Sequence, residues 1–284
     1  MNSTHGEKWW IMSIYRTPYT GRDALLEALR AEEDRLVGVV SDPGNWSSGT
    51  YIDGWTVQDV VCHLIDETED YLKRWDMARK GELPEGIDLA TFREKLRSGA
   101  LAHRHLAQDV AVARFTAAAA EMMAIFRDLT EEEWDGFTIA HPLFGAMPSS
   151  TFPAVQVADY MLHIWDIRWG QGDTTTRLDE RSAGTLIPHL FSLWGYTFNH
   201  SAAAGAAISY GIRTGGAWGG QWKVVVAGSQ FVIEAVEDLS EVPAIFHYED
   251  AAEMVLSRFS RIKAAKASGD PDAINAIRSL FSGL

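Results

Sequence analysis

The stretch Gly54-Trp55-Thr56-Val57-Gln58-Asp59-Val60-Val61-Cys62-His63-Leu64-Ile65 decides how the chain is read. Thr56 offers a hydroxyl to cap a helix, and Asp59 stands three positions on, the spacing of a capping box. Val57, Val60, Val61, Leu64 and Ile65 then recur three to four apart, so one helical face is apolar. The pattern predicts a helix from this cap to about Arg79, stopped before Gly81 and Pro84. His63 follows Val60 by three and leans toward the interior of whatever that helix packs on.

Outward from this helix the same periodicity repeats. Residues 21–40 carry Leu25, Leu26, Leu29, Leu36, Val37 and Val40, ended by Asp42-Pro43-Gly44. Residues 89–129 read as mostly helical, with a break near Ser98-Gly99. Gly136 to Pro153 reads as a loop. A helix over 153–169 follows, with Pro153 in its first turn and a stripe of Val157, Tyr160, Met161 and Ile164. Leu178 to about Phe198 reads as another. Four or five amphipathic helices with short connections predict an antiparallel bundle.

After about residue 200 the texture changes to short β-branched or alternating runs at 206–212, 222–227 and 231–236. Gly215-Gly216, Gly219-Gly220 and Gly228-Ser229 separate them as turn signals. Helical segments near 249–266 and 271–282 close the chain. The expected fold class is α+β in two domains: a four-helix bundle over 20–200 and a small α+β domain over 201–284, with 1–19 as an extension.

The 284 residues carry 25 basic and 39 acidic side chains, a net charge of −14. That balance argues against a phosphate-backbone partner, which needs clustered Lys and Arg. A single cysteine, Cys62, excludes an internal disulfide and fits a reducing compartment. No apolar run approaches the length of a membrane span. Trp9-Trp10-Ile11-Met12 is too short for a secretory core, and Met12 is an alternative start. The expectation is a cytoplasmic monomer or homodimer acting on a small molecule, with no nucleic-acid or membrane partner. The eleven tryptophans are an unusual number, and Trp55 and Trp165 fall near the candidate site residues.

Among nine histidines, His63 and His163 lie in strongly periodic helices. Asp159 precedes His163 by four, so carboxylate and imidazole share a face. A further nitrogen from a facing helix would complete a two-histidine, one-carboxylate metal site, which leaves coordination positions open. A hydrogen-bonded core histidine satisfies the same spacing. Glu67, four after His63, is a competing ligand or a solvated helix charge. His103-Arg104-His105 reads as a solvated face, Cys62 as a packed thiol, and the glycine run at 215–220 as a hairpin loop without a phosphate-cradle motif.

The quoted stretch resembles the Gly-Trp-Thr-Val-x-Asp-x-x-x-His-Leu signature of the mycothiol-dependent maleylpyruvate isomerase family, among the DinB-like metal-binding four-helix bundles. Asp159-Tyr160-Met161-Leu162-His163-Ile164-Trp165-Asp166 resembles that family's acid-x-x-x-His-x-Trp-Asp segment. The resemblance implies that His63, Asp159 and His163 hold a divalent metal, usually zinc, with nickel or another ion as alternatives. The isomerase has glutamate where this chain has Asp159, although related actinobacterial sequences carry aspartate there. Asp166 would orient a ligand or make a structural hydrogen bond. The C-terminal part resembles the family's sterol-carrier-like domain more loosely. An arginine of that domain reaches the active site in the isomerase, and Arg213 is the nearest candidate here, the alternative being an edge-strand surface charge.

The activity implied is isomerisation or S-transfer on a small electrophile, with mycothiol as the thiol cofactor. Addition, bond rotation and elimination isomerise a double bond, whereas retention of the adduct transfers sulfur. A thiol-free alternative is Lewis-acid cyclase, lyase or hydrolase chemistry on a natural-product intermediate. A third is a non-catalytic protein that sequesters a hydrophobic ligand.

Overall fold

The computed structural model describes residues 16–281 and 284. Helix α1 (Arg22–Val40) leads through a loop to α2 (Val57–Arg79). The cap of α2 forms as its sequence predicts. The Asp59 amide donates to the Thr56 hydroxyl at 3.4 Å, and the Thr56 amide donates to Asp59 Oδ2 at 2.9 Å. Such a cap contributes about 1 kcal/mol. Arg104 also pairs with Asp59.

Helices α3 (Leu89–His103) and α4 (Gln108–Asp128), the short α5 (Glu131–Gly136) and the long α6 (Thr151–Gly170) complete this part of the chain. Helix α1 packs on α6 and α4, and α2 packs on α4 and α3. Leu25 and Leu36, Val60 and Ile65, Phe115 and Phe126, and Val157 and Trp165 fill the interior between them. Helix α6 is buried on nearly all sides, which is why its sequence is apolar around its circumference and not along one stripe.

Two details differ from the sequence pattern. The break within 89–129 falls at 104–107, where Arg104 turns to Asp59, and not at Ser98-Gly99. Gly99 instead sits inside α3 because a Cβ there would lie 2.1 Å from the Asp66 carboxylate. The loop expected over 136–153 contains a hairpin, β1 (Thr138–His141) and β2 (Gly145–Pro148), that buries Ile139 and Met147. Strands of four residues are too short to show an alternation.

The chain divides into compact units between Arg177 and Leu178, upstream of the expected boundary near 200. The segment read as one helix is two, α7 (Glu180–Thr185) and α8 (Ile187–Thr197), and both belong to the second unit. There Trp194 packs on Phe281 with centroids 5.5 Å apart, and Phe198 on Phe231 at 5.1 Å. Periodicity shows that a helix buries a face, but not against what.

The second unit holds a five-stranded sheet in the order β5-β4-β3-β6-β7. Its strands are β3 (Ala207–Thr214), β4 (Gly220–Ala227), β5 (Gln230–Ala235), β6 (Ala244–Tyr248) and β7 (Lys266–Gly269). The first three form antiparallel hairpins at the predicted turns, β6 joins β3 in parallel, and β7 pairs antiparallel with β6. Helices α9 (Ala251–Arg258) and α10 (Pro271–Leu280) complete the unit. Helix α9 ends well short of residue 266, which leaves room for β7. The architecture is α+β in two domains. Of the expected 1–19 extension, residues 1–15 lie outside the described residues. Among the described residues no helix is long and apolar enough to cross a membrane.

Candidate metal centre

The loop before α2 folds back on itself and onto α6. The Thr50 amide donates to the Trp55 carbonyl at 2.9 Å, and the Trp55 amide to the Ile52 carbonyl at 3.0 Å. Gly54 adopts φ +74° inside that tight turn, a conformation glycine takes without penalty. The Tyr51 amide donates to the Asp166 carbonyl of α6 at 2.8 Å. Gly170, in the last turn of α6, permits this docking, because a Cβ there would stand 2.4 Å from Thr50 Cα. The loop thereby brings the Trp55 ring edge-on to His63 at 5.5 Å.

From α2 and α6 the side chains of His63, Asp159 and His163 converge. One donor atom from each lies within 4.8 Å of the others, and both histidines are buried. Asp159 Oδ1 stands 3.3 Å from His163 Nε2, and its Oδ2 stands 3.9 Å from His63 Nε2. The two imidazoles meet edge to face at 5.3 Å. Asp166, fully buried, places Oδ2 3.3 Å from His163 Nδ1, the nitrogen turned away from the cluster.

Glu67 joins the same cluster. Its Oε2 lies 3.6 Å from His63 Nε2, and its Oε1 accepts the Tyr71 hydroxyl at 2.9 Å. The Asp159 carboxylate reaches the same His63 nitrogen from α6. Glu67 is therefore no solvated helix charge. Nothing in the sequence singles out Tyr71 except that it follows Glu67 by four.

Burial and charge divide the protons unequally. Burial pushes His63 down to about 4 against the pull of Asp159. The same burial opposes protonation of His163, but Asp159 and Asp166 on its two sides overcome it and raise that imidazole to about 10. Burial raises Glu67 well above the usual carboxylate range, and neighbouring Asp159 adds to the rise. Asp159 is held low despite its burial, chiefly by the His163 charge. Metal-free, the cluster thus favours a proton on His163 between two aspartates, disfavours one on His63, and draws the Glu67 carboxyl toward its neutral form.

Two imidazole nitrogens and a carboxylate oxygen at these separations are a donor set suited to a borderline divalent cation. An interior carboxylate behind His163 matches the arrangement that fixes a ligating imidazole's tautomer.

The remaining sequence candidates lie elsewhere. Cys62 is fully buried and its thiol is pushed up to about 11 by desolvation, an inert packed group. Buried His141 accepts the Leu143 and Phe144 amides on Nδ1 at 3.1 and 3.2 Å, a structural role. His103 is only partly solvated, its Nε2 lying 3.9 Å from Asp66. Arg213 sits exposed on β3, where its guanidinium donates to Gln221 Oε1 at 3.1 and 2.9 Å. The sequence reading offered an edge strand for it, but β3 is the central strand.

A family model described as "Mycothiol maleylpyruvate isomerase N-terminal domain" matches residues 26–168, which include His63, Asp159 and His163. Among solved structures, the mycothiol-dependent maleylpyruvate isomerase is similar over 88% of this chain and 94% of its own, with TM-score 0.53 and 16% identity. A single-substitution mutant of that enzyme gives the same coverage and TM-score at 15% identity. The colibactin self-resistance protein ClbS, in complex with a dsDNA, is similar over 54% of this chain and 96% of its own, with TM-score 0.46 and 14% identity. No curated protein matches the chain.

Proposed function

The chain belongs to the mycothiol maleylpyruvate isomerase N-terminal domain family, and from that premise we propose that it is a metal-dependent enzyme using a mycothiol-type thiol for isomerisation or S-transfer on a small electrophile. The observation that carries the reading is the convergence of His63, Asp159 and His163 within 4.8 Å in a buried seam. When bound there, a divalent ion, zinc in the first instance, supplies the Lewis acidity that lowers the pKa of a coordinated thiol or water. His63 and His163 would offer their Nε2 atoms and Asp159 an oxygen. Asp166 would hold the His163 ring in place, and the half-buried Trp55 shields His63 from water. Arg213 is proposed to meet an acidic group of the substrate.

A chain with no catalytic thiol of its own fits this reading, because Cys62 is buried and its thiol is raised. One observation favours a second reaction on the same ion: Asp159 is a methylene shorter than the glutamate of the isomerase. In that reading the ion polarises a substrate carbonyl for cyclisation, elimination or hydrolysis, without a thiol.

Metal analysis of the untreated protein tests the premise. Stoichiometric Zn, Ni, Fe, Mn or Co that is lost in His63→Ala is the expected result. Trace metal unchanged by that substitution refutes it and leaves the ligand-sequestering alternative. Assays of the purified enzyme with and without mycothiol then separate the two reactions. Turnover of the native substrate that persists without mycothiol excludes thiol chemistry.

A further inference from the structure

We propose that Glu67 is a fourth protein donor to the ion, so that the chain supplies two imidazoles and two carboxylates. The inference rests on the metal reading above and extends it to a residue outside both signature segments' acid and histidine positions. Three observations carry it.

The first is distance. Two donors bound to one ion at about 2.0–2.2 Å stand roughly 3.0–3.6 Å apart in tetrahedral or octahedral geometry. Glu67 Oε2 lies 3.6 Å from His63 Nε2, between the 3.3 and 3.9 Å separations found within the triad itself. Glu67 is one turn beyond His63 on the same face of α2, so it approaches the triad from the His63 side.

The second is the placing of the two carboxyl groups. Glu67 on α2 and Asp159 on α6 both turn an oxygen to the same His63 Nε2, at 3.6 and 3.9 Å, and both are half-buried. Two half-buried carboxyls gathered about one imidazole nitrogen repel each other when both are ionised, and a positive charge between them relieves that repulsion. A divalent ion next to both supplies it, and two carboxylates balance its charge.

The third is orientation. The Tyr71 hydroxyl, itself buried on α2, donates to Glu67 Oε1. It leaves Oε2, the oxygen facing His63, as the one available for coordination. A carboxylate held by a hydrogen bond on its outer oxygen is how ligating carboxylates are commonly positioned. With four protein donors, substrate access requires the ion to reach five coordination or more.

Cobalt binding by the full chain tests this without recourse to activity. Metal-free wild type, Glu67→Gln and Glu67→Asp are titrated with Co²⁺, following the visible d–d absorption and competing against a chromophoric chelator. Thermal melts of the metal-free proteins confirm folding. The expected result is a d–d spectrum altered in both variants, with affinity lowered by about tenfold or more. Glu67→Asp keeps the charge but withdraws the oxygen, so ligation predicts that it behaves like Glu67→Gln. Wild-type binding with an unchanged spectrum in Glu67→Gln overturns the proposal while leaving the metal reading intact, even if affinity falls. Retention of the wild-type spectrum and affinity by Glu67→Asp reduces Glu67 to a nearby charge and overturns it likewise. No Co²⁺ uptake by wild type overturns both readings together.

Discussion

Asp166 Oδ2 lies 3.3 Å from His163 Nδ1 while Asp159 Oδ1 lies 3.3 Å from the same ring's Nε2, so one imidazole is clamped between two carboxylates. The inner carboxylate belongs to the candidate donor set, and the outer one is completely buried behind it. An Asp166→Asn variant keeps the volume but removes the charge that favours a proton on Nδ1 and electron density on Nε2. Its expected effect is a zinc affinity weaker by about 10- to 100-fold, measured by chelator competition. The melting temperature of the metal-free protein serves as the folding control. Affinity within twofold of wild type would assign Asp166 a structural role only.

Metal uptake should release protons. In the metal-free cluster His163 is raised to about 10, so near neutral pH its imidazole holds a proton that an ion must displace. Apparent affinity therefore increases with pH through the neutral range and levels off as the His163 pKa is approached. Calorimetric titration with zinc in buffers of differing ionisation enthalpy counts the protons directly. Release of at least one proton per ion near pH 7 is expected, and none would contradict the clamped imidazolium.

The reach of the sequence reading follows the range over which each pattern acts. The α2 cap was legible because Thr56 and Asp59 interact over three residues. His63 and the Asp159–His163 pair stood out because one helical turn relates them to an apolar stripe. What required the structure was the register between α2 and α6, which sets Glu67 against Asp159 and gives Tyr71 its role. Strands β6 and β7 were missed for a related reason. Lys266-Ala267-Ser268-Gly269 has no strand-forming side chains and is held by backbone pairing to β6 upstream in the chain, Ala244 with Gly269 and His247 with Lys266. The 177/178 boundary was hidden because the aromatic faces of α8 look the same whichever core they enter.

Gly170 gives a test of the loop that seats Trp55 beside His63. A methyl group there meets Thr50 Cα at 2.4 Å and the Gly49 carbonyl at 2.7 Å, backbone atoms that cannot swing aside. Gly170→Ala should cost about 1–3 kcal/mol in denaturant unfolding through overpacking. Helix propensity alone would favour alanine by up to about 1 kcal/mol, so the sign of the change decides between the two effects. A stabilised variant would show that the loop is free to move away from α6. In the destabilised case, displacement of the loop should also shift the tryptophan emission spectrum of the native protein.

Acid should destabilise the metal-free protein through two buried neutral histidines. His189 on α8 is held down to about 3 by burial and by the neighbouring Arg258 charge, and burial holds His63 down to about 4. Each group binds a proton more readily in the unfolded chain, where its pKa is near 6.5. Their contributions are therefore complete above that value and decline as pH falls toward 4 for His63 and toward 3 for His189. Each proton contributes a slope of about 1.4 kcal/mol per pH unit. His163, raised to about 10, is protonated in both states below pH 6 and adds nothing there, whereas the raised Glu67 carboxyl binds its proton more readily in the folded chain and opposes the His63 part of the decline. Urea unfolding at intervals from pH 7 to 4 should show the decline, and His189→Gln, which cannot take up the proton, should remove about one proton's slope from it. If the slope in that variant matches wild type, His189 is reached by water or protonated in the folded state, and the buried-neutral assignment fails. His189 lies in the second unit and His63 in the first. A probe specific to each unit, such as exchange of its own amides, should therefore show only the slope set by the groups of its own unit if the units unfold separately.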